Sequence, residues 1–207
     1  MKATHLEFLV EEPSMEAFLR RLLPRLLGEE QSFSIYAHQC KEDLLDKLPQ
    51  RLQGYAAWLP PDYRIIIIVD RDDDDCARLK EKLEGMTSDV GLLTRTASFG
   101  GNQPWQVANR IAIEELEAWY FGEWTCVRRV YPKVNASVPN KAAYRDPDAI
   151  AGGTWEALER VLKKAGYFQS GLRKIELARQ MGHNMDWNAN ASRSFGVFRD
   201  TLLEAVA

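Results

Sequence analysis

Two acidic clusters stand where this sequence could do chemistry. Glu11 and Glu12 close the mostly apolar run Leu6–Val10, and Asp70 and Asp72 close the run Ile65–Val69. In an open parallel sheet, ligands gather at the carboxyl ends of the strands. If those two strands are neighbours, one glutamate and two aspartates converge on one spot. Oxygen donors with no cysteine or histidine beside them suit Mg²⁺ or Mn²⁺. A Mg²⁺ held by few carboxylates keeps positions open for water and phosphate oxygens, the chemistry of phosphoryl transfer and phosphodiester cleavage. Acidic residues ahead of a helix are also favoured by the helix dipole alone. Asp73, Asp74 and Asp75 read that way, as a solvated helix start. Asp70 and Asp72 read as ligands, because Asp70 directly ends a buried aliphatic strand.

Two other uses of these aspartates fail on pattern. Asp70, Asp72, Asp74 and Glu81 fall at positions 1, 3, 5 and 12 of an EF-hand loop. Position 6 of that loop needs glycine and here is Asp75, and a helix rather than Ile65–Val69 should precede it. Aspartate-nucleophile phosphatases open with Asp-x-Asp, whereas here the motif follows two strand–helix units.

The elements that must position these residues alternate. Leu6–Val10 reads as a strand. Met15, Phe18, Leu19, Leu22, Leu23 and Leu26 recur at helical spacing behind Pro13-Ser14, with Ser14 as cap and Pro24 ending or kinking the helix. Ser32–His38 alternates as a second strand, and Glu42–Leu52 carries a leucine stripe interrupted by Pro49. Residues 58–62 read as a loop. The unbroken β-branched run Ile65–Val69 predicts a strand buried on both faces. A helix follows from Cys76, then a short strand at Asn109–Ile113 and a helix through Glu114–Tyr120. Ser88–Gln106, with Gly100-Gly101-Asn102, reads as an excursion or a hairpin with a long loop. Strands alternating with helices give an α/β fold with a mostly parallel sheet flanked by helices. Val134–Gly153 reads as loop, and helices are expected at Thr154–Lys164, Leu172–Met181 and Ser194–Leu203. We expect one domain over residues 1–207, with a core to about residue 122 and a helical extension over about 123–207.

Composition bounds the function. The 207 residues carry 27 Lys and Arg against 30 Asp and Glu, a net charge of −3. No broad electropositive surface is visible in those totals, so nucleic-acid binding requires a local basic groove or a partner chain. Hydrophobic residues make up 45% of the chain, enough for an ordinary core and too many for global disorder. No apolar run approaches a membrane span, and no signal peptide is evident ahead of the acidic start. Cys40, Cys76 and Cys126 form no CxxC pair, which leaves a reducing cytoplasm as the expected setting. His5, His38 and His183 lack ligand spacing. There is no Gly-x-Ser-x-Gly elbow and no P-loop.

Other residues extend the candidate site. Glu114 and Glu117 are three apart, on one face if both are helical, and either could reach the acidic cluster. Glu12 is a further acidic candidate. Lys41, Arg71, Arg110, Lys174 and Arg193 are candidate phosphate contacts, able to balance charge on phosphate oxygens. Arg193 lies in the polar stretch Asn190–Ser194 ahead of an apolar helix, where Ser194 can serve as N-cap. Trp119 and Tyr120 read as core.

The strand ending in Glu11 and the strand ending in Asp70-x-Asp72, separated by two strand–helix units, resemble the Toprim domain. In that family a glycine usually follows the glutamate, where this chain has Glu12. The wider layout resembles the bacterial domain-of-unknown-function family four-two-seven-six. Glu11–Glu16, Val69–Asp72, Arg110–Trp119 and Asn190–Phe195 carry that likeness, which spans nearly the whole chain. The Toprim resemblance implies a Mg²⁺-dependent site in which Asp70 and Asp72 bind metal and Glu11 acts as acid/base or a further ligand. It also implies a nuclease that accompanies an ATPase in bacterial defence against phage. The leading expectation is therefore a metal-dependent phosphodiesterase or nuclease. The rival is a non-catalytic regulatory or interaction subunit of an ATPase, which Glu12 in place of glycine permits. Phosphoryl chemistry on a free nucleotide is a third reading.

Overall fold

The computed structural model describes residues 2–99 and 103–207. Strand β1 (His5–Val10), helix α1 (Pro13–Leu27), strand β2 (Ser32–Ala37) and helix α2 (Lys41–Trp58) lead into strand β3 (Tyr63–Asp70). Helix α3 (Cys76–Ser88), the single turn α4 (Arg95–Ser98) and strand β4 (Val107–Ala112) follow. The described strands form one parallel sheet in the order β2-β1-β3-β4. The expected α/β class is the observed one. In the register, Val10 stands opposite Ile68, and Asp70 stands opposite Ala112. The two acid-bearing strands are thus central neighbours whose carboxyl ends lie level.

The aliphatic run divides by parity. Ile66 and Ile68 join Leu6, Phe8 and Val10 in the larger core, beneath α1. Ile65, Ile67 and Val69 join Leu44, Leu48 and Leu52 of α2 and Leu79 and Leu83 of α3 in the smaller one. Alternating side chains of one fully buried strand must feed both faces, which explains why no polar residue interrupts it.

The second half is helical: α5 (Leu116–Gly122), α6 (Trp124–Val130), α7 (Thr154–Lys164), α8 (Lys174–Asn184) and α9 (Arg193–Ala205). These helices pack onto the α1 face and complete the larger core through Trp119, Leu158, Leu177, Met181, Phe195 and Phe198. Short 3₁₀ turns break the loop between α6 and α7.

Several expectations are corrected. The first helix runs through Pro24 to Leu27, because Leu22, Leu23 and Leu26 are all buried and hold the last turn in place. Helix α2 likewise continues past Pro49. Ser14 does not cap α1; Pro13 opens it, where a missing N–H is harmless. Ser192, not Ser194, caps α9 by accepting from the Phe195 amide at 3.1 Å. Between α3 and β4 the described residues form no hairpin, which leaves the excursion of the two alternatives: Thr94 bridges Val107 in parallel. Gly100, Gly101 and Asn102 of that expected loop lie outside the described residues.

Helix α8 crosses α1 at Gly182, where an added Cβ would lie 2.3 Å from the Phe18 carbonyl oxygen. The Arg25 guanidinium donates to the Gly182 and Met185 carbonyls at 3.0 and 3.1 Å across the same crossing. We expect Gly182→Ala to destabilise the fold by about 1–3 kcal/mol, through forced separation of two packed backbones. Gly85→Ala, on the exposed face of α3 with open space around it, should instead stabilise by up to about 1 kcal/mol. Thermal melts of both variants check the contrast, and equal effects would contradict it.

Candidate metal centre at the carboxyl edge of the sheet

Glu11 stands one residue past β1, and its Oε2 accepts a hydrogen bond from the Asp70 amide at 2.9 Å. This bond ties the tips of the two central strands together. Asp70, the last residue of β3, is 7% exposed. Its parity with Ile66 and Ile68 turns it toward the α1 and α5 face. Among the described residues its Oδ1 is buried without a hydrogen-bond partner. Burial, then the charges of Glu11, Glu117, Glu12 and Asp72, hold the Asp70 carboxyl well above the usual carboxylate range. Burial pushes Glu11 up to about 7 against the opposing pull of the Asp70 amide, and Asp72 and Glu12 add to the rise.

The backbone then turns sharply. Asp72 adopts φ 49°, in the left-handed region that aspartate tolerates better than most residues. Glu114 adopts φ 60° opposite it. The Arg71 amide donates to the Ala112 carbonyl and the Asp72 amide to the Glu114 carbonyl, both at 2.9 Å. The β3–β4 pairing therefore continues beyond the strands and carries the Asp-x-Asp turn with it. Asp70 faces inward and Asp72 faces the flank.

On that flank Lys41, itself 6% exposed, reaches Asp72 at 2.7 Å, Asp74 at 2.9 Å and the Arg71 carbonyl at 3.0 Å. Burial opposes the charge of Lys41, but its bonds to the two aspartates raise its pKa overall. Arg71 pairs with Glu114, and Glu12 accepts from the Ser14 hydroxyl. On the inner side, Glu117 from the first turn of α5 is 1% exposed and its Oε2 has no partner among the described residues. Burial pushes it up to about 7, with Glu115 and Glu12 adding and Lys174 opposing. The Tyr120 hydroxyl, one turn further along α5, is also buried without a partner, and burial together with Glu117, Glu12 and Asp70 raises its pKa.

Glu11, Glu12, Asp70, Asp72 and Glu117 thus share one field, with Lys41 on one side and Lys174 on the other. Their donor set, all hard oxygens with unpartnered lone pairs on Asp70 and Glu117, fits a divalent cation such as Mg²⁺. As the side chains stand, no group of three or more His, Cys, Asp or Glu among the described residues is posed to hold one. Asp72 is instead paired with Lys41 on the flank.

Other candidates lie elsewhere. Glu114 and Glu117 do not share a helical face, because α5 begins only at Leu116 and Glu114 precedes it in a left-handed turn. Glu115 holds the start of α7, its Oε2 accepting from the Thr154 amide and hydroxyl and the Trp155 amide at 2.8–2.9 Å. Arg110 is buried against α9, donating to the Thr201 hydroxyl at 2.7 Å and to the Asn109 carbonyl at 3.0 Å. With the exposed Arg193 it lines a different cleft of about 430 Å³, along the open edge of β4. The polar stretch Asn190–Ser194 seats α9: Asp148 accepts from the Ser192 hydroxyl and the Ser194 amide, and the Asn190 amide group donates to the Trp119 carbonyl. Tyr120, read from sequence as core alone, does belong to the core, but its hydroxyl faces the acids. Its place three residues after Glu117 on one helix was the available signal.

Residues 10–203 match the family described as "Domain of unknown function (DUF4276)". The chain belongs to that family. No curated protein matches it. Among solved structures it is similar to the C-terminal region of the Xanthomonas campestris pv. campestris OLD protein, at 14% identity and a TM-score of 0.45, covering 98% of this chain and 97% of that one. No helix of the described residues is long and apolar enough to cross a membrane.

The raised carboxyl of Glu117 sets a pH dependence for the metal-free protein. An acid whose folded pKa is raised contributes stability that is complete below its ordinary value of 4.5 and lost as pH rises through about 7. In EDTA, Glu117→Gln should therefore match the wild type near pH 4 and exceed it by roughly 3 kcal/mol at pH 8. Thermal melts across that range test this; a variant no more stable than wild type at pH 8 would contradict it.

Proposed function

We propose that this chain is a Mg²⁺- or Mn²⁺-dependent phosphodiesterase of the Toprim type that acts on nucleic acid. The observation that carries the reading is Asp70: a buried carboxyl at the tip of a central parallel strand, one oxygen unpartnered, whose ionisation the charges of Glu11, Glu117, Glu12 and Asp72 oppose. Such a concentration of like charge is stable at neutral pH only with protons or a cation present. Glu11, Asp70 and Asp72 would hold the ion, with Glu12 and Glu117 adding charge behind them. A bound Mg²⁺ supplies Lewis-acid polarisation of a phosphoryl oxygen and a water of lowered pKa.

The chain's own residues supply the remainder. In the metal-free chain burial pushes Glu11 up to about 7, so its carboxyl can take up or release a proton near neutral pH. The Asp70 amide fixes that carboxylate in place. Lys41 and Lys174 flank the cluster and can balance charge that develops on a phosphate.

A second reading rests on one specific observation. Lys41 already spans Asp72 and Asp74, and Arg71 already pairs with Glu114, so protein cations occupy part of the acidic turn. In that reading the chain is a non-catalytic regulatory subunit, for instance of a separate ATPase chain.

Cleavage of plasmid, single-stranded DNA and RNA by the purified chain in Mg²⁺ and Mn²⁺ separates the two. We expect cleavage by the wild type that falls by about two orders of magnitude or more in Asp70→Ala and Asp70→Asn, with both variants folded by melting. No cleavage by folded wild-type protein in either metal would sink the catalytic reading.

A further inference from the structure

The acidic net charge of the chain hides a basic groove that begins where the carboxylate cluster ends. Pro13, the residue after Glu12, lines a groove of about 540 Å³ between α1, α8 and β2, together with Phe33 and Ile175. A second hollow of about 480 Å³ adjoins it at the start of α8, and the two share Ile175 and Arg179. Their walls carry five cations, Arg20, Arg21, Arg173, Lys174 and Arg179, against two carboxylates, Glu16 and Glu176. Arg21 and Arg179 are exposed and make no ion pair among the described residues. A positive strip on a chain of net charge −3 is a local departure in charge, and its form is a track rather than a point.

Two aromatic rings, just beyond the lining of the hollows, lie against cations at the end nearest the acids. Lys174 Nζ lies 5.2 Å from the ring centre of Trp155, and the Arg173 guanidinium lies 5.3 Å from that of Phe168. Both rings are half-buried, so each keeps part of its surface open. Phe168 is held at φ 49°, a left-handed conformation that a bulky side chain rarely adopts. The Trp155 amide is bonded to Glu115, two residues from Glu117, which fixes this end of the track to the site. Lys174 belongs to both, since the charges of Glu117, Glu12, Glu115 and Asp70 all favour its ammonium form.

We propose that this groove binds a single-stranded nucleic acid, whose phosphates follow Lys174, Arg173, Arg179 and Arg21 and whose bases stack on Trp155 and Phe168. The inference rests on the phosphodiesterase reading above and gives it a substrate path. Cations alternating with aromatic faces match a flexible strand with exposed bases; a duplex presents only its backbone to such a surface.

The test is fluorescence anisotropy of a labelled single-stranded oligonucleotide, DNA and RNA in turn, and of the corresponding duplex. Binding is measured in EDTA, so that neither metal nor cleavage contributes, and over a series of NaCl concentrations. We expect the wild type to bind a single strand more tightly than the duplex. The double variant R21E/R179E should bind about tenfold more weakly, with a log–log salt slope shallower by about 1.4, from the loss of two phosphate contacts. Phe168→Ala should weaken binding by about tenfold with the slope unchanged, because stacking releases no counterions. R21E/R179E binding as the wild type does, duplex binding as tight as single-strand binding, or no wild-type binding at all would each overturn the proposal, whatever the cleavage assay gives. Binding in EDTA with the expected variant effects, beside an absence of cleavage in Mg²⁺ and Mn²⁺, would uphold the groove and sink the phosphodiesterase reading instead.

Discussion

Asp70 ends a strand buried on both faces, and its carboxyl inherits that burial. An ionised carboxylate taken out of water needs hydrogen bonds or a countercharge, and Asp70 Oδ1 has no hydrogen-bond partner among the described residues. Glu11, Glu12, Asp72 and Glu117 make ionisation harder still. On the reading proposed above, the site exchanges between a protonated and a cation-bound state, and the other features of the carboxyl edge bear on the balance. Lys41 pairs with the outer aspartates and also eases the charge of Glu11. Lys174 relieves the inner side from across the groove.

The fold brings these acids together through a few local constraints. The order β2-β1-β3-β4 makes β1 and β3 neighbours, so residues far apart in sequence end level with each other. The Glu11–Asp70 bond joins their tips, and paired left-handed residues at Asp72 and Glu114 extend the sheet's pairing into the turn. Helix α5 then needs a fixed position to deliver Glu117. Glu115 anchors it to α7, and the Asn190–Ser194 stretch anchors it to α9, where Gly122 leaves no room for a side chain. The second half of the chain thus serves as the back wall of the site.

Much of this was legible from residue types alone. A β-branched run without alternation can only be a strand buried on both faces, and an aspartate at its end is displayed at the sheet's carboxyl edge. Those two facts locate Asp70, and the same reasoning locates Glu11. Periodicity located the helices, but their ends and interruptions were less legible. Pro24 and Pro49 fail to break helices whose flanking leucines are buried, since tertiary packing outweighs local propensity. The positions of Glu114, Arg110 and Arg193 were not legible, because each depends on a backbone turn or a helix docking that no spacing encodes. The basic groove is not legible for a related reason: its arginines lie on α1 and α8, more than 150 residues apart in sequence, and the totals average them away.

The central claim is that the Asp70 cluster takes up a divalent cation. The most direct measurement is titration of Mn²⁺ into the metal-free chain at pH 8, followed by the electron paramagnetic resonance signal of free Mn²⁺. We expect the wild type to deplete that signal in a saturable way, and Asp70→Asn, folded by melting, to leave it undiminished. A wild type that leaves the free signal intact, or an Asp70→Asn variant that depletes it equally, would contradict the account.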